Sequence, residues 1–181
     1  VIDGSHVLDT CAYYKASYPD YSPFGVPDFD QKQGAWQVAG QWTHCGPAAL
    51  ANCLWWFDSK FETNTIPPPA MIDNYNLIRN FTMLAIDDHD QGNVIPVIDS
   101  LALYSQTNGP GPGTDVFNLA TGAHNWITSR GLAGWYNIRV LPIDPSVGFE
   151  LIRNEVLASQ NVILLLGFWQ EVTSGICERV G

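Results

Sequence analysis

An α+β fold is what this sequence predicts, and three observations carry that prediction. A long apolar segment with helical spacing begins at Cys45-Gly46-Pro47, two strand-like apolar runs lie late in the chain at 136–141 and 161–169, and no repeat of fixed period is visible. With 181 residues, 46% of them hydrophobic, the chain has material for one domain with its own core rather than two. Charged residues are only 14% and aromatics 12%, the opposite of a composition that stays disordered.

Residues 1–35 are rich in Tyr, Pro, Asp and Gly and show neither helical nor strand periodicity, so they read as an extended arm packed by its aromatics. The domain proper is expected over 36–181. From Cys45 the sequence CGPAALANCLWWFDSKF places Ala49, Cys53 and Trp56 at helical spacing behind a proline that suits a first turn. Its apolar character on nearly every side marks a buried helix. Ile66-Pro67-Pro68-Pro69 ends that unit, and 70–84 offers a second helical segment with Met71, Tyr75 and Ile78 along one side. Asn93 caps an expected helix through Tyr104, with Pro96 tolerable in its first turn. Residues 107–113, TNGPGPG, read as a loop.

Thr114 is the expected N-cap of a helix over 115–130, with Asp115 at the positive end of its dipole, Arg130 at the negative end and Gly131 beyond. A strand over 136–141 follows, then a helix from Asp144 through about Ser159. After it come a buried strand at 161–169 and a last strand at 176–180.

Composition excludes several functions. The formal net charge is −10 with three lysines, Lys15, Lys32 and Lys60, so no basic patch is available to neutralise phosphates and nucleic acid is not an expected partner. No apolar run approaches the roughly 18 residues needed for a membrane span. The chain starts without a charged segment and apolar core of signal-peptide type, so a leader is expected to be already removed or never present. Acidity, scarce lysine and abundant Trp and Tyr lean towards an extracellular or cell-surface protein, and Asn80-Phe81-Thr82 fits a glycosylation sequon.

Four cysteines, Cys11, Cys45, Cys53 and Cys177, do not make a dense disulfide framework. Cys45 stands where unpaired helical N–H groups and the positive end of the dipole favour a thiolate, and Gly46 beside it leaves room for a substrate backbone. The competing reading is a small buried residue at a helix start. Cys53 lies eight residues on, a rise of about 12 Å, too far for a disulfide to Cys45 within an intact helix. It reads as core. Cys11 and Cys177, outside that helix, are the pair expected if any bridge forms.

The segment Gln41-Trp42-Thr43-His44-Cys45-Gly46-Pro47-Ala48-Ala49-Leu50-Ala51-Asn52 resembles the signature of C39-like cysteine peptidases of the papain superfamily, in which a glutamine precedes Cys-Gly-Pro and a small-residue helix follows. The likeness extends through Trp55 to Lys60, Asp87 to Asp90 and 162–170. It implies a papain-like fold with an incomplete C-terminal sheet, Cys45 as nucleophile, and peptide-bond hydrolysis through an acyl-enzyme on a peptide or protein substrate. It also implies that Gln41 and the nucleophile's own N–H hold the oxyanion, with Gln37 as substitute because Gln41 is only four residues before the cysteine.

The family's base is a histidine in a Gly-His-aromatic-Val strand, and the sequence ends at about the residue before it. By itself the chain is therefore expected to be catalytically incompetent, or to use a histidine from a missing C-terminal segment or a partner chain. His44 adjoins Cys45 but sits on a tight turn, His124 falls inside a helix, and His6 carries no signal. Around His89 the carboxylates Asp87, Asp88 and Asp90 offer oxygen ligands suited to calcium, although the spacing is not an EF-hand and an acidic turn explains it without metal. No other cofactor is implied: no Cys/His group has zinc spacing, and the glycine-rich loop lacks the Lys-Ser/Thr of a phosphate loop. The alternative to a peptidase is a non-catalytic surface or filament module on the same fold.

Overall fold

The computed structural model describes residues 2–4, 27, 29–32, 35–61, 75–78, 91–141, 148–158, 160–165, 169–173 and 176–179. In chain order its elements are β1 (Ile2–Gly4), β2 (Gln37–Val38), β3 (Gln41–Trp42), α1 (Cys45–Phe61), α2 (Val94–Tyr104), α3 (Val116–Ser129), β4 (Tyr136–Ile138), α4 (Gly148–Leu157), β5 (Trp169–Thr173) and β6 (Ile176–Arg179). The strands form three antiparallel pairs, β1 with β4, β2 with β3 and β5 with β6. The class is α+β.

α1 is the axis of the core because its sequence is apolar on most sides. Leu50, Ala51, Leu54, Trp55 and Phe57 are fully enclosed. α2 packs on it through Val97, Ile98 and Leu101, and α3 closes the layer with Ala123, Trp126 and Ile127. The α2–α3 approach is closest at Gly122, where a Cβ would lie 2.2 Å from the Ser105 hydroxyl and 2.7 Å from Ser105 backbone atoms. Only glycine fits there. Several polar groups taken into this core are bonded, though the buried Ser105 hydroxyl is not: the Trp126 indole N–H donates to the Leu77 carbonyl at 2.8 Å, the Ile78 N–H donates to Asp58, and the Tyr75 and Tyr136 hydroxyls bond each other.

Within the arm expected over 1–35, the described residues are held by tertiary contacts. Phe29 is buried edge-on against Trp55, its N–H donating to the Asn52 side chain at 2.8 Å, and Ile2–Gly4 pair with β4. The helix expected over 70–84 is corrected where it is described: 75–78 form a turn, fixed by the bonds to Trp126 and Asp58 rather than by a helical ladder. α2 begins after Asn93 as expected, behind a short 3₁₀ turn over Gln91–Asn93, but the Asn93 side chain makes no capping bond.

At α3 the cap is Asp115 and not Thr114. The Asp115 carboxylate accepts from the N–H groups of Phe117 and Asn118, while the Thr114 hydroxyl is bonded to that of Thr107 at 2.7 Å. Gly131, at φ +76°, closes the helix as its sequence indicates. The strand expected at 136–141 stops at Ile138, where pairing with β1 ends. The buried strand expected at 161–169 is corrected more deeply: 162–165 carry no ladder, Leu164 and Leu165 are exposed, and strand structure starts at Trp169. An apolar run becomes a strand only when a partner supplies its hydrogen bonds. Ile163 nevertheless packs on the core, and Asn161 donates to the Cys53 carbonyl at 3.2 Å.

Candidate active site

The approach to Cys45 is a two-residue hairpin. Ala39 at φ +51° and Gly40 at φ +79° supply the two left-handed positions such a turn requires, Ala39 at a cost of about 1 kcal/mol. In the resulting register Gln37 faces Trp42 and Val38 faces Gln41, so the two glutamines point to opposite faces. Gln41 is exposed, and its side chain makes no hydrogen bond among the described residues. The structure does not join it to Cys45.

The hairpin delivers Thr43 and His44, both buried, to the start of α1. The His44 carbonyl accepts the first helical bond, from the Ala48 N–H at 2.9 Å, so His44 occupies the cap and Cys45 the first helical position. The Cys45 and Gly46 N–H groups have no intrahelical acceptor at that position, and Pro47 has no N–H to offer. Cys45 is a free, exposed thiol. Cys53 is free and enclosed, and burial pushes its thiol up to about 12. A bridge between them is excluded, as the helical spacing indicated.

Five side chains from three segments lock the residues before Cys45. The His44 ring stacks flat on Trp36, centroids 4.8 Å apart and planes 8° from parallel. The Trp36 indole N–H donates to the Asp99 carboxylate of α2. The Thr43 hydroxyl donates to the Trp36 carbonyl, lies 3.2 Å from His44 Nδ1 and accepts from the Asn108 amide at 3.0 Å. Asn108, at φ +63°, is itself fixed by paired bonds with Gly113, both 2.8 Å. Burial lowers the His44 pKa, and the nearby Asp99 carboxylate opposes that shift. The imidazole is held against tryptophan, and no hydrogen bond joins it to Cys45 among the described residues.

On the other side of the first turn, Gly46 faces the loop before α3: a Cβ there would lie 3.3 Å from Thr114 and 3.5 Å from a Leu119 methyl. The loop over 105–114 therefore lies against the start of α1. Trp36, Thr43, Asp99 and Asn108 escaped the sequence reading. Only Asn108 left a signal, an Asn-Gly pair in a turn-rich loop, which favours a left-handed backbone.

His124 lies on the exposed side of α3. The calcium candidates Asp87, Asp88, His89 and Asp90 lie outside the described residues, as do His6, Cys11 and the Cys177 side chain. Among the described residues no group of three or more His, Cys, Asp or Glu side chains could hold a metal ion, and no helix is long and apolar enough to cross a membrane. The chain matches no family model, no curated protein and no solved structure.

Proposed function

We propose that this chain carries the nucleophile of a C39-like cysteine peptidase acting outside the cell, with Cys45 attacking a peptide carbonyl. The observation that carries the reading is the contrast within one helix: Cys45 is exposed at the first position of a buried helix, and Cys53 two turns on is sealed in the core. In the reaction an imidazole takes the Cys45 thiol proton, the sulfur bonds to the carbonyl carbon and the carbonyl π electrons move to oxygen, where the Cys45 and Gly46 N–H groups donate to it. The resemblance assigns Gln41 as a further donor to this oxygen. The tetrahedral adduct then breaks its C–N bond, and the departing amine takes a proton from an imidazolium; water hydrolyses the thioester.

Among the described residues no imidazole is bonded to Cys45, so the mechanism requires one from elsewhere in the protein or from a partner chain. The test is peptide turnover by a longer version of the protein carrying a Gly-His-aromatic-Val strand, with and without Cys45→Ala. Loss of turnover with alanine is the expected result. Equal turnover with alanine at position 45 would discard the mechanism, and absence of any turnover would favour a non-catalytic surface module.

A further inference from the structure

The Thr43 hydroxyl stands two residues before Cys45, and its three contacts use everything a hydroxyl has. It lies 3.3 Å from the Trp36 carbonyl, 3.0 Å from the Asn108 amide nitrogen and 3.2 Å from His44 Nδ1. A hydroxyl carries one proton and two lone pairs. Asn108 takes one lone pair: its side-chain oxygen accepts from the Gly113 N–H at 2.8 Å, so the end facing Thr43 is the amide N–H. The proton goes to the Trp36 carbonyl. What is left for His44 is the second lone pair, so Nδ1 is the donor and the neutral ring is the Nδ1–H tautomer.

The peptide that joins His44 to Cys45 is where this bonding meets the chemistry. Its carbonyl is held by the Ala48 N–H at 2.9 Å, and its N–H is the Cys45 donor to the oxyanion in the proposed reaction. The direction of that N–H depends on the torsions of His44, whose ring is clamped face-on by Trp36 and at Nδ1 by Thr43. Thr43 is fixed in turn, its own N–H donating to the Trp36 carbonyl at 3.1 Å and its hydroxyl receiving Asn108. Asn108 belongs to the loop whose far end, Thr114, borders Gly46. One loop thus touches the chain both before and after Cys45.

We propose that Thr43 and Asn108 are positioning residues for Cys45: by fixing His44 as the Nδ1–H tautomer they hold the His44–Cys45 peptide with its N–H aimed at the oxygen of a carbonyl under attack. The proposal rests on Cys45 being the nucleophile, and it is tested on the 181-residue chain by two reactions of one sulfur. With p-nitrophenyl acetate the Cys45 thiolate bonds to the carbonyl carbon, negative charge gathers on the carbonyl oxygen, and collapse expels p-nitrophenolate to leave a thioester. With iodoacetamide the thiolate bonds to carbon and iodide leaves, with no oxyanion. Alkylation therefore reports the thiolate and its access, and the ratio of acetylation to alkylation reports the N–H. Both products are located by mass spectrometry of the digested protein.

In the parent chain that ratio at Cys45 should exceed the ratio for a short cysteine peptide by about tenfold or more. Thr43→Val, which keeps the shape and removes the hydroxyl, should take most of the advantage away, and Thr43→Ser should retain it. Asn108→Gly, which suits the left-handed backbone at φ +63° but has no amide, should lower the ratio by about threefold or more. Nitrogen NMR of the neutral imidazole should show His44 protonated at Nδ1 in the parent and in Thr43→Ser, and at Nε2 in Thr43→Val. Unchanged alkylation at Cys45 and continued protection of Cys53 would show that the variants fold. A parent ring protonated at Nε2, read without any variant, would overturn the proposal, as would a ratio that neither Thr43→Val nor Asn108→Gly lowers. A parent ratio no higher than that of the peptide would instead remove the nucleophile reading, and the proposal with it.

Discussion

The two halves of this molecule bury apolar residues to different extents. In the helical layer of α1, α2 and α3 the side chains that face the core leave solvent, Trp55 and Phe57 completely, while Leu103 and Phe117 stay on the outer side of α2 and α3. In the later part, Phe149 on α4 is 75% exposed, Val156 and Leu157 on the same helix more than half, and Ile176 on β6 58%. Large apolar residues occur in both, so their presence alone does not decide burial. The first half supplies its own partners at short range, three helices joined by ordered turns. The second consists of one helix, one hairpin and apolar stretches with no layer of described residues across them.

The largest effect that would sharpen this contrast is Trp55→Ala. It should cost about 3–5 kcal/mol, because the indole is enclosed on all sides and cannot be replaced by water, and a denaturant midpoint measures it. A cost below about 1 kcal/mol would mean that the helical layer is not the stabilising half.

The second effect depends on pH. Burial raises Cys53 from 9.0 to about 12 and Tyr75 from 10.0 to about 12, and it raises Tyr136 as well. Between these values the unfolded chain has released protons that the folded chain still holds. The stability contributed is therefore complete below about pH 9 and lost as pH climbs towards 12, by roughly 1.4 kcal/mol per pH unit while the thiol alone titrates. Urea unfolding across that range should show this slope, and Cys53→Ala should flatten it near pH 9 to 10. A slope unaffected by the substitution would place the thiol in solvent.

Gly122→Ala ranks third, with a net loss of about 1–2 kcal/mol: the Ser105 hydroxyl can rotate away, but its backbone atoms at 2.7 Å cannot, and the gain in helix propensity offsets only part. Thermal unfolding reads it. The smallest effect is Phe149→Ser, expected within about 0.5 kcal/mol of the parent because three quarters of the ring already meets water. A loss as large as that of Trp55→Ala would erase the distinction between the halves.

What the sequence disclosed follows the range of the interactions. The start of α1 at Cys45, the span of α2 and the C-terminal glycine of α3 were legible because each is set by neighbours within one or two turns. Thr114 and Asp115 are adjacent and both suit a cap. Only the bond between Thr107 and Thr114 decides between them, and that lies in the tertiary structure. Residues 162–165 have strand composition but no partner within the described chain, which no local pattern discloses. At the candidate site Cys45 itself was readable from its position before Gly-Pro. The lock around it was not, since Asp99 reaches Trp36 across 63 positions and Asn108 reaches Thr43 across 65.

The pairing of β1 with β4 bears on the order of events during synthesis. Ile2 meets Ile138, 136 positions later, whereas the β2–β3 hairpin closes across only two turn residues. At about 5–20 residues per second on the ribosome, Ile2 waits on the order of 10 s for its partner. A hairpin such as β2–β3 forms in about 1–10 μs. Closing the long loop costs chain entropy before any strand bond repays it, so β1 docks after the helices have assembled. Cys45 consequently reaches its helix start, between an early hairpin and a helix built from local contacts, well before the chain's first strand is in place.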